Sequence, residues 1–515
     1  MCLSKKVSNR SNRLYRPIRF VDYVSVSKVV SRVLASGFMF DAKAFDLISK
    51  LPPELDVDIL VDKVLEQKKG APTEEKLITE DDLRRLLPPE VSSAEGRRAP
   101  AVEEAVDMEV LSDPTLAIAP IEANEGYNSL FRDRYARLMS VVKKRPDMRG
   151  VTGTSAGRSL VQGQKAKIAG LISGRINRRT NTELVIDDPG GTMKVVCQDG
   201  DMVKAAMEAP LDSLVVVEVS RSRSGQLYAN SLTLPDMPDR KPVGSSHRVY
   251  AALISDLHIG SRMFLAEDFQ RFIQWLNGKF GDRDLVGRIK YLVIAGDLVD
   301  GVGVYPGQEL QLSERDPKVQ YATAAKLLEQ VPHHIQMILS PGNHDPVRQA
   351  LPQPAVSLDM AEPLYRLENV RWVGDPAYVK LHGVTFLIYH GKSLDDVIAT
   401  TPELSYNKPA DAMKLLLRSR HLAPTYGKRT ALSPELRDFL VIDPVPEVLH
   451  CGHVHTFDEL KYRGTLVVNS GCWQAQTSFQ SNMGVEPTPS VIPIIDLSSL
   501  QVIRRNFGAA GFAGA

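Results

Sequence analysis

The sequence predicts a multidomain α+β protein with a helical region, a small β-barrel and a larger α/β domain. Its 515 residues correspond to two to four domains, at roughly 100 to 200 residues per domain. Apolar residues recur at helical spacing near the N-terminus and at strand spacing from about residue 165. Beyond residue 248 they form short buried runs. All eleven histidines lie between His247 and His455, so chemistry that needs imidazole belongs to the second half.

Charge and cysteine content exclude several classes of protein. A net charge of +1 does not suit nucleic-acid binding through bulk positive charge, so such binding would use local patches. The four cysteines form no CxxC pair, which disfavours a disulfide framework and a thiolate zinc site and favours a reducing compartment. No apolar run approaches the ~18 residues of a membrane span, and the N-terminus lacks the apolar core of a signal peptide. We therefore expect an intracellular protein with no membrane partner.

The N-terminal region predicts helices. Residues 1–19 carry six basic side chains and no acid, which indicates a disordered tail or, alternatively, a nucleic-acid contact. Apolar residues at helical spacing over 20–87 predict a small helical bundle that docks partners. Thr79 and Asp82 match a helix N-cap and an acid in the first turn.

A change of composition follows the bundle. Residues 88–125 hold five prolines and nine acidic side chains against two basic ones, and predict a linker. Residues 126–163 regain helical spacing and predict a bridge into the next domain. At the other end of the chain, the glycine and alanine residues of 506–515 predict a flexible tail.

Residues 164–240 predict an OB-fold barrel. Five strand segments are present, with a short helical stretch between the third and the fourth. Arg175, Arg178 and Arg179 could follow a phosphate backbone, but Tyr228 is the one aromatic residue available to stack on a base. Protein docking is therefore favoured over single-strand binding.

Residues 247–505 contain five apolar runs that predict buried strands, each ending in a polar cluster. In open α/β sheets, ligands gather at the carboxyl ends of the strands, so five such ends can converge on one site. The clusters are Asp256-Leu257-His258, Gly296-Asp297-Leu298-Val299-Asp300, Gly342-Asn343-His344-Asp345, His390-Gly391 and Cys451-Gly452-His453-Val454-His455.

These residue types suit a pair of divalent cations. Two metals about 3.5 to 4 Å apart need a bridging carboxylate and a mixed nitrogen and oxygen shell, and they activate a water while neutralising a phosphate. Without a thiolate ligand, manganese, iron and zinc are plausible and calcium is disfavoured. A lone Asp-x-His would be weak support, whereas five clusters in this order are hard to produce by chance.

The clusters together resemble the calcineurin-like metallophosphoesterase superfamily. That resemblance implies a two-sheet αββα sandwich for the C-terminal domain, with His344 as the catalytic histidine that protonates the leaving oxygen or steadies the phosphate. The implied ligands are Asp256, His258 and His455 for one metal, Asn343, His390 and His453 for the other, and Asp297 between them.

Other residues near these clusters have supporting or ordinary roles in this interpretation. Asp300 and Asp345 are expected to orient ligands. Tyr305 and Trp473 could stack on a base, with packing as an equal alternative. Six further residues are expected to be ordinary core or surface groups: His333, His334, His382, His421, His450 and Cys451.

A narrower resemblance covers about residues 165–500. Segments 300–308, 346–349, 421–424 and 468–474 resemble the small subunits of archaeal family D DNA polymerases. This implies a proofreading 3′-5′ exonuclease that uses two divalent ions, most plausibly manganese. The implied partners are the polymerase large subunit, primer-template and single-stranded DNA, and a sliding clamp. The implied location is the nucleoid in an archaeal cytoplasm.

Two other functions remain open from the sequence. The first is a non-catalytic scaffold subunit of the polymerase. The presence of suitable residues at all seven ligand positions, and of the catalytic histidine, argues against it. The second is a separate phosphatase or cyclic-nucleotide phosphodiesterase, which would leave the helical region, the linker and the barrel unexplained.

Overall fold

A computed structural model describes residues 23–50, 57–69, 76–86, 100–118, 121–482 and 484–508. The chain divides into two compact units, residues 1–98 and 99–515. The predicted basic tail and most of the predicted C-terminal tail lie outside the described residues. Within the described ranges, no helix combines the length and the apolar character that crossing a membrane requires.

The first unit is helical, as predicted, with one short strand pair. Its elements are α1 (Tyr23–Ala35), β1 (Met39–Phe40), α2 (Ala42–Lys50), α3 (Val57–Gln67), β2 (Leu77–Ile78) and α4 (Glu80–Arg84). Strands β1 and β2 pair in parallel, which helical spacing did not predict. The core contains Val33, Val61 and Leu83, each buried. Thr79 and Asp82 form the predicted cap: the Thr79 side chain accepts from Asp82 N, and the Asp82 carboxylate accepts from Thr79 N.

The second unit begins with a segment that was predicted to be a linker. It contains α5 (Pro100–Glu103) and β3 (Met108–Ser112), followed by α6 (Ala123–Lys143) and α7 (Thr154–Arg158). Strand β3 pairs with Ala377–Leu381 as the edge of a six-stranded sheet. The linker prediction is therefore wrong for this part, because Met108 and Val110 pack against the core between the two sheets while Glu109 faces solvent. The many acidic residues of the segment hid the alternation of inward-facing and solvent-facing side chains that is typical of a strand.

Helix α6 is fixed to the C-terminal domain through a buried charge cluster. The Arg134 Nε and the His421 Nε2 lie 2.7 and 2.8 Å from the same Asp438 carboxylate oxygen, Oδ2. The backbone N–H of Ala423 donates to His421 Nδ1, so Nε2 carries the proton that is donated to Asp438. Burial, aided by the Arg134 charge, lowers the pKa of His421 to about 4. His421 is thus a neutral core residue, within the ordinary roles expected of it.

Because of this cluster, we expect the free energy of unfolding to decrease as the pH is lowered from about 6.5 to 4. In that window His421 binds a proton in the unfolded chain but not in the folded chain. Protonation therefore stabilises the unfolded state, by at most about 3 kcal/mol. Urea unfolding at several pH values would measure it in the wild type and in His421→Gln. The stability difference between the two proteins should narrow as pH falls; a constant difference would contradict the assignment.

A closed five-stranded barrel follows. Its strands are β4 (Lys165–Asn177), β5 (Thr182–Asp188), β6 (Gly191–Cys197), β7 (Leu214–Arg221) and β8 (Leu227–Thr233), with α8 (Gly200–Glu208) between β6 and β7. The strand order is β4-β5-β6-β8-β7, and β4 closes the barrel by pairing with β7. The number of strands and the position of the helix are those predicted. Ile168, Val195 and Val217 belong to a hydrophobic core that the barrel shares with the second sheet and the helices that cover it.

Two six-stranded sheets make up the rest of the unit. Their further strands are β9 (Tyr250–Ile254), β10 (Ile289–Ala295), β11 (Gln336–Ser340), β12 (Val370–Trp372), β13 (Ala377–Leu381), β14 (Val384–Ile388), β15 (Val448–Cys451), β16 (Asp458–Tyr462), β17 (Thr465–Asn469), β18 (Val491–Asp496) and β19 (Gln501–Asn506). The first sheet has the order β12-β11-β10-β9-β18-β19, and the second β16-β17-β15-β14-β13-β3.

The sheets pack face to face, with helices over their outer faces. Ala251 and Leu253 of β9 point into the core between the sheets, whereas Ala252 and Ile254 point to the helices on the other face. Both faces of β9 are covered, which is why it reads as an unbroken apolar run. The helices are α9 (Ala266–Leu276), α10 (Arg283–Val286), α11 (Pro317–Leu328), α12 (Leu358–Tyr365), α13 (Leu394–Thr400), α14 (Pro409–Ser419) and α15 (Ser478–Asn482).

Candidate metal centre

The predicted ligands meet where strands of both sheets end. Each follows a buried strand whose apolar side chains anchor it in a core. The first sheet supplies Asp256 and His258 after β9, Asp297 after β10 and Asn343 after β11; the second supplies His390 after β14 and His453 and His455 after β15.

Five of the seven side chains stand on backbone in the left-handed region. The φ angles are 52° for Asp256, 53° for His258, 51° for Asp297, 72° for His453 and 61° for His455. Such conformations are costly for residues other than glycine, and they persist where the surroundings fix them, often at functional sites. Backbone bonds hold them here: Asp256 N donates to Gly296 O at 3.0 Å, and the N–H of His258 donates to Asp297 O at 3.1 Å.

Glycines beside the ligands leave room for them. Gly296 has a φ of 87°, and a Cβ there would lie 2.3 Å from His390 Nδ1. A Cβ at Gly452 would lie 2.4 Å from Asp256 Oδ2. Side chains at either position would displace a predicted ligand.

One group of ligand atoms surrounds His258. Its Nε2 lies 3.1 Å from His455 Nε2, 3.9 Å from Asp256 Oδ1 and 3.8 Å from Asp297 Oδ2. His258 Nδ1 donates to the Asp300 carboxylate at 2.8 Å, which leaves Nε2 with the lone pair that a metal needs. Asp300 therefore lies where the orienting role predicted for it requires.

A second group surrounds His390. Its Nδ1 donates to Ala295 O at 2.9 Å, and its Nε2 faces Asn343 Oδ1 at 3.1 Å and Asp297 Oδ2 at 3.3 Å. Asp297 Oδ2 is thus near both groups, as expected of a bridging carboxylate. His453 Nε2 lies 3.2 Å from Asp395 Oδ2, so Nδ1 is the nitrogen of His453 that could bind a metal.

His344 lies beside both groups. Its backbone N–H donates to Asp297 Oδ1 at 2.8 Å, and its Nδ1 donates to Asp300 O at 2.9 Å. The ring meets that of His258 edge to face at 4.6 Å between centroids. Burial lowers the pKa of His344, but the charges of Asp297 and Asp300 outweigh burial and the net shift is upward.

Asp345 supports the loops instead of touching a ligand side chain. Its carboxylate accepts from Gly342 N at 2.9 Å, more weakly from Leu298 N at 3.3 Å, and from the Tyr321 hydroxyl at 2.6 Å. Those backbone groups are next to Asn343 and Asp297 in the chain. The orienting role predicted for Asp345 would therefore act through the backbone.

The charges of the site suit bound cations. Burial raises the pKa of Asp256 and Asp297, but neighbouring imidazoles more than offset it, and both pKa values fall below the usual range. Burial lowers the pKa of His390, yet Asp297 raises it to about 10. Protons on imidazoles thus balance the buried carboxylates, and divalent cations can replace such protons. The oxygen and nitrogen donors fit a divalent metal.

The clusters open on a cavity of about 720 Å³. Tyr305, predicted to stack on a base, lines this cavity, with its ring centroid 6.1 Å from that of His344. Asp395, Tyr406 and Arg429 line it as well, and the sequence analysis missed all three. Asp395 follows His390 by only five residues, so extending that cluster would have found it.

Trp473 is a wrong prediction as a base-stacking residue. Its side chain is 2% exposed, and its ring packs against Phe269 and Phe272 at centroid distances of 4.9 and 5.5 Å. It belongs to the core beneath the first sheet. The packing alternative is correct because α9 places two aromatic rings over the strand end.

The arginines of the barrel differ in availability. Arg175 is partly buried and donates to the carbonyl oxygens of Met207 and Ala209 at the end of α8. It is therefore occupied by the fold, and its prediction as a DNA contact is wrong. Arg178 and Arg179 are exposed and stay predicted contacts.

The fold and this site define a class: a multidomain α+β protein whose stacked sheets carry a candidate metal centre at one edge. The sequence pattern of the family described as the B subunits of DNA polymerases alpha and epsilon matches residues 251–459. The chain belongs to the family of archaeal DNA polymerase II small subunits.

Three relatives illustrate the similarity. The DNA polymerase II small subunit of Archaeoglobus fulgidus is 37% identical over 498 residues, which cover 95% of this chain and 99% of the relative. That of Pyrococcus horikoshii is 36% identical, covering 89% and 71%. That of Pyrococcus furiosus is 40% identical over 74% of this chain, and the chain spans 63% of its length. A solved archaeal phosphodiesterase aligns with 50% of this chain and 98% of its own at 14% identity and a TM-score of 0.26, too weak a similarity to support a conclusion.

Proposed function

We propose that the chain is a proofreading 3′-5′ exonuclease that acts with the large catalytic subunit of the polymerase. The observation that carries the proposal is the convergence of seven candidate metal ligands at the ends of strands from both sheets, five of which line one cavity together with His344. Membership of the polymerase small-subunit family supports DNA as the proposed substrate and the large subunit as the proposed partner. The barrel, with three exposed arginines and one aromatic residue, suits protein docking better than base stacking.

The residues divide between two metals of the proposed centre. Two divalent ions, manganese with iron or zinc as alternatives, would supply an activated water and neutralise the charge that develops on the phosphate. Asp297 would be shared because its Oδ2 faces both groups. The other ligands are Asp256, His258 and His455 for one ion and Asn343, His390 and His453 for the other.

His344 is the proposed proton donor. Its Nδ1 is bound to the Asp300 carbonyl, so Nε2 is the nitrogen left to meet the leaving 3′ oxygen. Asp297 holds the His344 backbone, which ties the donor to the shared carboxylate. The donor and the ligands thus keep one geometry without help from substrate.

The cavity suits the end of a single strand. Its volume of about 720 Å³ lies within the usual range for small-molecule pockets and matches a terminal nucleotide better than a duplex. Tyr305 offers a face on which a terminal base can stack.

We place the protein at the nucleoid of the cytoplasm, with primer-template DNA and a sliding clamp as further partners.

A nuclease assay tests this function. The purified chain, with and without the large subunit, is given Mn²⁺ and a 5′-labelled primer with a matched or mismatched 3′ end. Stepwise shortening from the 3′ end, faster on the mismatch and abolished by chelation, is expected. Inertness in both states would overturn the proposal and favour a scaffold. Turnover of a small phosphomonoester, with none on DNA, would favour a phosphatase.

A further inference from the structure

A second group of possible metal ligands lies at the opposite edge of the sheets. Glu104 follows α5, His247 precedes β9, and His382 occupies the turn between β13 and β14. One ligand atom of each lies within 4.8 Å of the other two. His382 and His390 are at opposite ends of β14, and eight residues at about 3.3 Å each separate this group from the candidate centre by about 25 Å. We call these three residues the edge group.

The hydrogen bonds of His382 leave one nitrogen free to bind a metal. The Tyr291 hydroxyl accepts from Asp107 N at 3.1 Å and donates to Asp107 O at 2.8 Å. With that proton donated to Asp107 O, His382 Nδ1, 2.7 Å away, donates to the hydroxyl oxygen. Burial raises the pKa of Tyr291 and lowers that of His382, in accord with a protonated hydroxyl and a neutral ring. In this tautomer Nε2 carries a lone pair.

The other two members can complete a site. His247 Nδ1 lies 2.9 Å from Glu104 Oε2, and the rings of His247 and His382 are 5.3 Å apart between centroids. His382 is buried and its partners are partly exposed, so an ion can enter from solvent. The turn also places this histidine at a φ of 44°, where Asn or Gly is usual.

We propose that Glu104, His247 and His382 form a second site for Zn²⁺, with water as a fourth ligand. Two neutral imidazoles and one carboxylate match zinc coordination in protein sites. Lys290, whose ammonium donates to Ala101 O and Glu104 O, adds a positive charge nearby. That charge repels any divalent ion, so the selectivity comes from the donor atoms: Ca²⁺ and Mg²⁺ depend on several oxygen ligands, whereas Zn²⁺ binds strongly to imidazole nitrogen.

The site would join three separate segments. Glu104 lies between α5 and the edge strand β3, His247 precedes β9 of the first sheet, and His382 connects β13 and β14 of the second sheet. A bound ion would therefore fasten the start of the second unit to both sheets. The alternative is a simple hydrogen-bonded Glu104 and His247 pair without an ion.

Zinc counting separates these possibilities. The full-length chain is stripped with a chelator and titrated with Zn²⁺, and the bound metal is measured by elemental analysis and chelator competition. His247→Asn and Glu104→Gln should each bind one equivalent fewer than wild type, with affinity at this site weakened about tenfold or more. Glu103→Gln, the exposed acid beside Glu104, is the control and should match wild type.

Protection of residues 100–112 from hydrogen exchange gives an independent readout. Zn²⁺ should slow hydrogen exchange over residues 100–112 in wild type and in Glu103→Gln, but not in His247→Asn. Equal zinc content and equal protection in wild type and His247→Asn would overturn the site. Since His247 takes no part in the proposed nuclease, its variant tests the site whether or not the chain degrades DNA.

Discussion

Asp297→Asn is expected to abolish the nuclease, with a loss of at least about a thousandfold in kcat/KM. The amide keeps the shape of the carboxylate, and its oxygen can still accept from His344 N. It loses the negative charge that faces both His258 and His390. Metals contribute several kcal/mol to the stabilisation of such a transition state, so losing the shared ligand removes about that much. Initial rates on a 5′-labelled single strand measure the effect.

The metal content of Asp297→Asn should fall together with the activity. Elemental analysis after loading with Mn²⁺ should find fewer equivalents than in wild type. Glu309→Gln is the matched control, because Glu309 is an exposed acid on the loop beside the cavity and is expected to keep full activity and metal. If Asp297→Asn stays within tenfold of wild type on DNA, the shared-metal assignment is wrong.

Local sequence patterns predicted which side chains come together at the candidate site, because each of these side chains follows the end of a strand. Each buried strand is an apolar run that stops at an Asp, Asn or His, and parallel pairing brings such stops to one edge. Asp256 after β9 and His390 after β14 were placed on this ground, although they belong to different sheets. The sequence therefore indicated that these side chains converge, but it did not give the distances between them.

Tertiary packing decided what the sequence could not show. Strand β3 pairs with β13 from about 270 residues away, and its five residues are too few to outweigh an acidic surrounding sequence. Trp473 follows a polar strand end, as a ligand-contacting residue would, yet helix α9 covers it. Asp395 reaches His453 only because α13 starts beside the second sheet. In all three cases the deciding contact joins elements far apart in the sequence.

His344→Gln is expected to slow hydrolysis of DNA by about 10²- to 10⁴-fold while leaving the metal content unchanged. Glutamine can still donate to Asp300 O but cannot deliver a proton to the leaving 3′ oxygen, and general-acid catalysis is worth about that factor. Bis(p-nitrophenyl) phosphate separates this role from a structural one. Its leaving group departs as a stable anion and needs no proton, so the variant should hydrolyse it nearly as fast as wild type does.

Loss of a metal ligand is the competing explanation for a defect in His344→Gln. One nitrogen of His344 lies within 4.8 Å of ligand atoms of His258 and Asp297, so it could bind an ion as well as donate a proton. Reduced metal content, or equal losses on DNA and on bis(p-nitrophenyl) phosphate, would make it a ligand and contradict the acid role. His333→Gln, at an exposed histidine, is the control and should match wild type on both substrates, because that side chain contributes nothing to the cavity.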